Sequence, residues 1–435
     1  MSYDLIIRNG TVVPMAPHSQ PIRDGAVAIR GGEIVAVGPA SEVRGARETI
    51  DAGGGLILPG FVNTHTHLAM VLLRGFADDY PLRAWLEEHI WPAERGLMTA
   101  DTVCAGTALA AIESLKAGVT CVCDMYFHAE RIIGVLERIG LRAVVPESLI
   151  DFPTPSCPTP DVALARQREL LERFSGHPLF VPAVAPHSPY SVSAANLVKE
   201  AELAEEFDAP LIIHLAETRW ETEKIQAEKG LSPVAYLADL GILSDRTVAA
   251  HCVHVSEGDL ELLAEFDVGV ASNPVSNLKL ASGVAPVPQM LARGIKVSFG
   301  TDGAASNNTL DLLRDAQLAT LLYKGITGDP TCMPARVMAE LLTLGGARVL
   351  GLQDRIGSLE PGKRADVVCL RVDEPHAVPV FDPYAHIAYA ARASDVSHVV
   401  VDGRVVVKQG RMTTIDEGEV IAEARSITAR IGKDR

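Results

Sequence analysis

Two histidines set two residues apart, His65 and His67, close the run Leu58-Pro-Gly-Phe-Val-Asn-Thr-His-Thr-His-Leu68. A strand over 58–64 would bring both imidazoles to one face at its end, because residues two apart in a strand point the same way. Such a pair can grip one cation, zinc first, with iron, copper or nickel also suited to imidazole. Three later segments repeat the design. Pro210-Leu-Ile-Ile-His ends in His214, with Glu217 three residues on; Val248-Ala-Ala-His ends in His251; Ile295-Lys-Val-Ser-Phe-Gly-Thr-Asp ends in Asp302. Each is an apolar run, then a ligand-type side chain, then a loop. Three histidines and an aspartate can hold a divalent metal and leave room for water.

Residues so far apart meet only if their strands end at one face. In a (β/α)8 TIM-type barrel every parallel strand does so, and that face carries the active site. Strands are expected near 58–64, 119–126, 142–149, 180–186, 210–215, 247–251, 268–273 and 296–301, eight in all, alternating with helical patterns. The flanks differ. Short strands are expected within 5–13, 26–37 and 48–50, with hairpin turns at Asn9-Gly10 and Gly31-Gly32; 365–370 and a hairpin around Asp402-Gly403 mirror them near the other end. Together 1–57 and 358–435 make a small β-sandwich on a barrel of 58–357. An excursion over 69–98, with Trp85 and Trp91, follows the first barrel strand. It serves either as a lid or wall over the catalytic face or as peripheral packing. A terminal helix is expected near 415–431.

With these residues in place, the sequence resembles the amidohydrolase superfamily over about 4–412. Where two-metal members carry a bridging Lys or Glu, the fourth strand here ends in His187, which resembles the one-metal class. The stretches His-Leu-Ala-Glu-Thr (214–218), Ser-Asn-Pro-Val-Ser-Asn-Leu-Lys-Leu-Ala-Ser-Gly (272–283) and Gly-Thr-Asp-Gly-Ala-Ala-Ser-Asn-Asn (300–308) resemble the subgroup of methylthioadenosine/S-adenosylhomocysteine deaminases and triazine hydrolases. The stretches 85–94 and 124–128 are most similar to the methylthioadenosine deaminase branch. The resemblance implies that His65, His67, His214 and Asp302 hold one divalent metal, Zn2+ or Fe2+. It implies that His251 contacts the metal's water, and that Asp302 also accepts a proton before ammonia leaves. Glu94 would take the ribose hydroxyls, and His187 would reach the same ribose or the purine.

Glu217 follows from its position as well. A carboxylate one turn beyond a ligand can accept a proton from activated water and return it to the ring nitrogen it binds. The expected reaction is hydrolytic deamination of an adenine nucleoside, 5′-methylthioadenosine to 5′-methylthioinosine and ammonia. S-adenosylhomocysteine, adenosine and 5′-deoxyadenosine are expected secondary substrates. Homologues that accept the charged homocysteine tail can place Arg after the third strand. Here Glu147 stands there, which would repel a carboxylate. A triazine or other heterocycle hydrolase uses the same metal set. An inactive barrel scaffold is the third reading, and the intact ligand set argues against it.

The 435 residues carry 55 acidic and 39 basic side chains, net charge −16, which disfavours nucleic acid and anionic membranes as partners. Seven cysteines without a framework spacing, no leader-like N-terminus and no long apolar run point to a cytoplasmic enzyme. Oligomeric state stays open, a homo-oligomer included. Cys121 and Cys123 read as buried thiols. His254 is expected on the loop after His251, and Lys279 is expected in solvent. His128 has no assigned role, and the other histidines are read as surface or packing residues.

Overall fold

The computed structural model describes residues 3–431. Residues 1–2 and 432–435, which the sequence groups with the small domain, lie outside that range.

Nine parallel segments build the central sheet: β6 (Phe61–His67), β7 (Val119–Asp124), β8 (Arg142–Leu149), β9 (Phe180–Pro186), β10 (Leu211–Leu215), β11 (Thr247–His251), β12 (Gly269–Ser272), β13 (Lys296–Phe299) and β14 (Asp302–Gly303). Their order is β13-β12-β11-β10-β9-β8-β7-β6-β14. Most of these strands are buried throughout, because side chains on both faces are covered, and their sequences read as continuous apolar runs. Alternate residues part company. Val62, Cys121, Cys123, Val144, Ile212 and Val248 form an inner cluster, while Phe61, Val122, Val145, Ile213 and Ala249 join the larger core shared with the helices. Both cysteine side chains are therefore small core residues, as expected.

The other sheet takes its strands from both ends: β1 (Tyr3–Val12), β2 (Ile22–Arg30), β3 (Glu33–Pro39), β4 (Ala46–Asp51) and β5 (Leu56–Pro59), then β15 (Val367–Leu370), β16 (Val396–Val401), β17 (Arg404–Lys408) and β18 (Arg411–Met412). It is one continuous hydrogen-bonded sheet, β18-β17-β16-β15-β5-β1-β2-β3 with β4 on β1, where two stacked sheets were expected. It has its own core, in which Leu5, Ile7, Val27, Ile29, Val367 and Val400 meet.

Two strand expectations are corrected. The run 58–64 is two strands in different sheets: Leu58 pairs with Val368 in the end-derived sheet, and β6 starts at Phe61. Gly60 is the crossing point, where a Cβ would sit 1.9 Å from the Thr120 hydroxyl oxygen. Asn9-Gly10 is no hairpin. It is an irregularity inside β1, with Asn9 at φ 60° and a Cβ on Gly10 barred by the Gly55 carbonyl at 2.7 Å. Gly31-Gly32 and Asp402-Gly403 do turn hairpins.

Arg142 ties the sheets together. Buried at the start of β8, it binds Asp366 at 2.8 and 3.0 Å and Asp402 at 3.1 Å. The excursion after β6 folds as short helical pieces ending in Trp91–Leu97. Lys279 is not in solvent: its Nζ holds Asp78 of that excursion at 2.6 Å. The last helix is Glu417–Ile431. Among the described residues, no helix is long and apolar enough to cross a membrane.

Candidate active site

His65 and His67 leave β6 on the same face, and parallel register brings the other strand ends level with them. Leu215 pairs with His251, which places His214 and His251 on adjacent strand ends; Asp302 pairs with Thr66, between the two histidines of β6. The three exits are sharply bent, with φ of 51° at Ala216, 75° at His251 and 59° at Asp302. Such positive φ at non-glycine residues is a strain that clusters at functional sites.

Asp302 Oδ1 lies 3.5 Å from His65 Nε2 and 3.2 Å from His67 Nε2. His67 Nε2 lies 3.3 Å from His214 Nε2. His67 Nδ1 donates to the Met125 carbonyl at 2.5 Å and His214 Nδ1 to the His187 carbonyl at 2.8 Å. Both Nε2 atoms are thus aimed at one point, where a positive charge, a shared proton or a metal cation, would sit between them. His65 is wholly buried with neither ring nitrogen hydrogen-bonded. This donor set, oriented by bonds to its far nitrogens, fits a divalent cation of the zinc type. The charge balance agrees. Burial disfavours charge on His67, yet Asp302 raises it to about 9. Burial also works against ionising Asp302, but the adjacent His65 and His67 rings hold it well below the usual carboxylate range. Asp302 Oδ2 accepts from Ser276 at 2.6 Å and Ser306 at 2.7 Å, which fixes its plane.

His251 donates from Nδ1 to Asn277 Oδ1 at 2.8 Å, so its Nε2 faces the cluster, 3.8 Å from Glu217 Oε2. Glu217 is buried, and that burial, reinforced by Asp302, pushes its carboxyl up to about 8. It is thus held protonated at neutral pH. Glu221, on the helix Arg219–Lys229, turns back to accept from the backbone N–H groups of Ala216 at 2.8 Å and Glu217 at 2.9 Å.

His67, His214, His251, Asp302 and Glu217 line one cavity of about 600 Å³ empty volume with Glu94 and His187. Every site residue singled out from the sequence thus borders it or, for His65, touches those that do. Glu94 lies on the excursion's helix, buried, and Tyr126 donates to its Oε1 at 2.7 Å. Burial raises its carboxyl to about 7, against the lowering effects of Tyr126 and His67. His187 is kept neutral by burial, its Nδ1 2.9 Å from Ser191 Oγ. Leu82, Trp85, Ile90 and Trp91 make the excursion a wall of this cavity.

Glu147 does not reach it. Its carboxylate accepts from the backbone N–H groups of His128 and Ala129, at 3.2 and 2.8 Å, and from Ser156. The next residue, Ser148, faces the cavity instead. Strand alternation turned the acid the other way, so its supposed repulsion of a charged tail is withdrawn. His128 caps the helix Ala129–Ile139 at φ 61°, and His254 bonds the Ser282 carbonyl at 2.6 Å from the loop after β11. Sequence reasoning missed Glu221, Asn277, Ser276, Ser306 and Tyr126. Only the last four lay within stretches already singled out.

The profile of the amidohydrolase family matches residues 56–406. The chain belongs to the amidohydrolase family. Among curated relatives, this amidohydrolase is 46% identical to a 5-methylthioadenosine/S-adenosylhomocysteine deaminase of Syntrophobacter fumaroxidans, covering 98% of each chain. Among solved structures, it superposes on an adenosine deaminase from Xanthomonas campestris with bound zinc at a TM-score of 0.97, 39% identity and 99% coverage of both chains. It also superposes on the atrazine chlorohydrolase of Arthrobacter aurescens complexed with zinc, at a TM-score of 0.90 and 26% identity, covering 98% of this chain and all of that one.

Proposed function

We propose that this amidohydrolase deaminates an adenine nucleoside, and that 5′-methylthioadenosine, converted to 5′-methylthioinosine, suits its cavity best. One observation carries the reading: Glu94, a buried carboxylate braced by Tyr126, shares a cavity with Glu217 and the histidine cluster. A carboxylate can accept from both hydroxyls of a vicinal diol, so Glu94 takes the ribose while the base lies towards Glu217. His187, neutral, adds a ring nitrogen on the same wall. The names of the relatives above agree. Among the described residues no Lys or Arg lines this cavity, and its aromatic and aliphatic wall suits a methylthio group.

We read one divalent ion per chain, zinc, on His65, His67, His214 and Asp302. Such a cation supplies water activated for attack at neutral pH. The protein's own part is proton handling. Glu217 gives its proton to the ring nitrogen beside the attacked carbon and can take one back. His251, held by Asn277 at Nδ1, would stabilise the oxygen that turns negative by donating from Nε2 once its ring carries a second proton. Asp302 Oδ1 would receive the proton from the attacking oxygen and pass it to the amino group, which leaves as ammonia.

We further read β13 and β14 as one eighth strand of a (β/α)8 barrel, broken at Gly300-Thr301. Asn63 and Thr64 of β6 bond to Thr301 and to the Phe299 carbonyl across the break. The barrel then starts at Phe61 rather than 58 and runs to about 357, and the small domain is 3–59 with about 358–431, in a cytoplasmic protein.

Ammonia release by the zinc-loaded protein tests this, with 5′-methylthioadenosine, S-adenosylhomocysteine, adenosine, guanine and an amino- or chloro-triazine as substrates. Turnover of methylthioadenosine supports the proposal. Turnover confined to free bases or triazines contradicts the ribose role of Glu94 and leaves the hydrolytic chemistry standing.

A further inference from the structure

Lys279 is the last residue of the short helix Pro274–Lys279, which follows β12. Two other residues of that helix serve catalytic groups: Ser276 donates to Asp302, and Asn277 holds His251. The short helix after β14, Ala304–Asn307, also reaches Asp302, through Ser306. The excursion is tied to both helices through one residue. Lys279 Nζ donates to Asp78 Oδ1 at 2.6 Å, to the Ala305 carbonyl at 3.3 Å and to Asn308 Oδ1, while Asn308 Nδ2 donates to Asp78 Oδ2 at 3.2 Å. Both oxygens of Asp78 are thus taken, and the bond from Lys279 holds its carboxyl below the usual range. The Lys279 side chain is only 21% exposed, so this pair is screened less than one at the surface.

Four residues after Asp78 the chain enters an unbroken helical run, Leu82–Ala84, Trp85–Ile90 and Trp91–Leu97, the middle piece wound as a π-helix. This run carries Trp85, Trp91 and Glu94 to the catalytic cavity. Its apolar side chains pack on the core, and such contacts have no direction. Directional bonds stand near its two ends: Lys279 with Asp78 before it, and Tyr126 with Glu94 in its last turns.

We propose that Lys279 is a positioning residue, which keeps the ribose-binding wall in register with the groups that act on the base. The inference rests on the nucleoside reading, in which Glu94 takes the ribose while Glu217 and Asp302 act at the ring. A nucleoside held at both ends reacts only when the two ends are correctly spaced, and a displacement of about 1 Å can cost on the order of 100-fold in rate. Lys279 sets that spacing, because its ammonium bonds at once to the excursion, to the Ala305 carbonyl and to Asn308, from a helix that orients Asp302 and His251. It does not border the catalytic cavity, so it acts through Asp78 and touches no substrate.

The test measures kcat, KM and zinc content with 5′-methylthioadenosine for zinc-loaded wild type, Lys279→Met, Asp78→Ala and the double variant. Each single variant should lower kcat/KM roughly 10- to 100-fold, with KM raised as well as kcat lowered and zinc content unchanged. The double variant should be no worse than the poorer single one, because both remove the same tie. A merely structural role would reduce the share of active molecules, which lowers kcat and leaves KM where it was. Asp78 is the more exposed partner, and its replacement reads the tie even if Lys279→Met fails to fold. The proposal is overturned if the folded variants stay within about twofold of wild type, if KM does not move, or if the two losses multiply in the double variant. A wild type that turns over no nucleoside refutes the underlying reading, whereas an active wild type with unaffected variants refutes this inference alone.

Discussion

His67 and His214 point their Nε2 atoms at each other across 3.3 Å, each with Nδ1 turned onto a backbone carbonyl. The backbone thereby sets the orientation of both rings and aims both Nε2 atoms at one point. The fold is built to hold this arrangement, but the arrangement itself calls for a cation.

Zinc should therefore stabilise the folded chain. At a thousandfold excess over the dissociation constant the gain is about 4 kcal/mol. Calorimetry of chelator-treated protein should show a lower Tm that zinc restores, and His214→Ala should lose most of the response. A Tm indifferent to zinc in the wild type would remove the metal reading.

Glu221 is a positioning residue. Both its carboxylate oxygens are taken by the N–H groups of Ala216 and Glu217, at the bend that presents Glu217. Glu221→Gln sets an amide N–H against one of those donors. The expected loss is about 1–3 kcal/mol of transition-state stabilisation, roughly 10- to 100-fold in kcat. Zinc content should be unchanged, and the pH profile governed by Glu217 should shift. Normal kcat with a normal profile would show the contact to be incidental.

Glu94 must be ionised to accept two hydroxyls, and burial places its carboxyl near 7. The kcat/KM for methylthioadenosine should accordingly rise with pH through a limb near 7. Glu94→Gln should lose that limb, as should a wild-type assay with a 2′,3′-dideoxy substrate. A limb that persists in both belongs to another group.

The histidine–aspartate cluster was legible in the sequence because each of its residues ends an apolar β-run, a pattern that survives without knowing which strands are neighbours. Glu147 was misread for a physical reason. Side chains alternate along a strand, and only packing decides that Ser148 faces the cavity while Glu147 caps the helix Ala129–Ile139. The break at Gly60 was equally hidden, since its cause is Thr120, a residue of the neighbouring strand. Lys279 looked solvated because its partner Asp78 is 201 residues away. Glu221 gave no sign because a carboxylate that serves backbone N–H groups needs no partner of recognisable type.

Glu200 offers a test remote from the site. It is fully buried, and burial raises its carboxyl from 4.5 to about 8 against the lowering effects of Gln167 and the Ala185 backbone. The folded state thus holds this proton more tightly than the unfolded one. Its contribution is favourable below pH 4.5 and declines as pH rises towards 8. Glu200→Gln, which puts an N–H donor near Gln167, should stabilise the protein by up to about 4 kcal/mol at about pH 7.5 and by almost nothing near pH 4.5. Urea unfolding at the two pH values measures it, and equal effects at both would contradict the buried-charge account.

The central claim is that Glu217 moves the proton in a nucleoside deamination. The most direct measurement is ammonia release from 5′-methylthioadenosine by zinc-loaded wild type and Glu217→Gln, with zinc content determined for both. The account predicts turnover by the wild type and a loss of roughly 10²- to 10⁴-fold in kcat for the variant at equal zinc. A variant within a few-fold of wild type, or a zinc-loaded wild type that releases no ammonia, would contradict it.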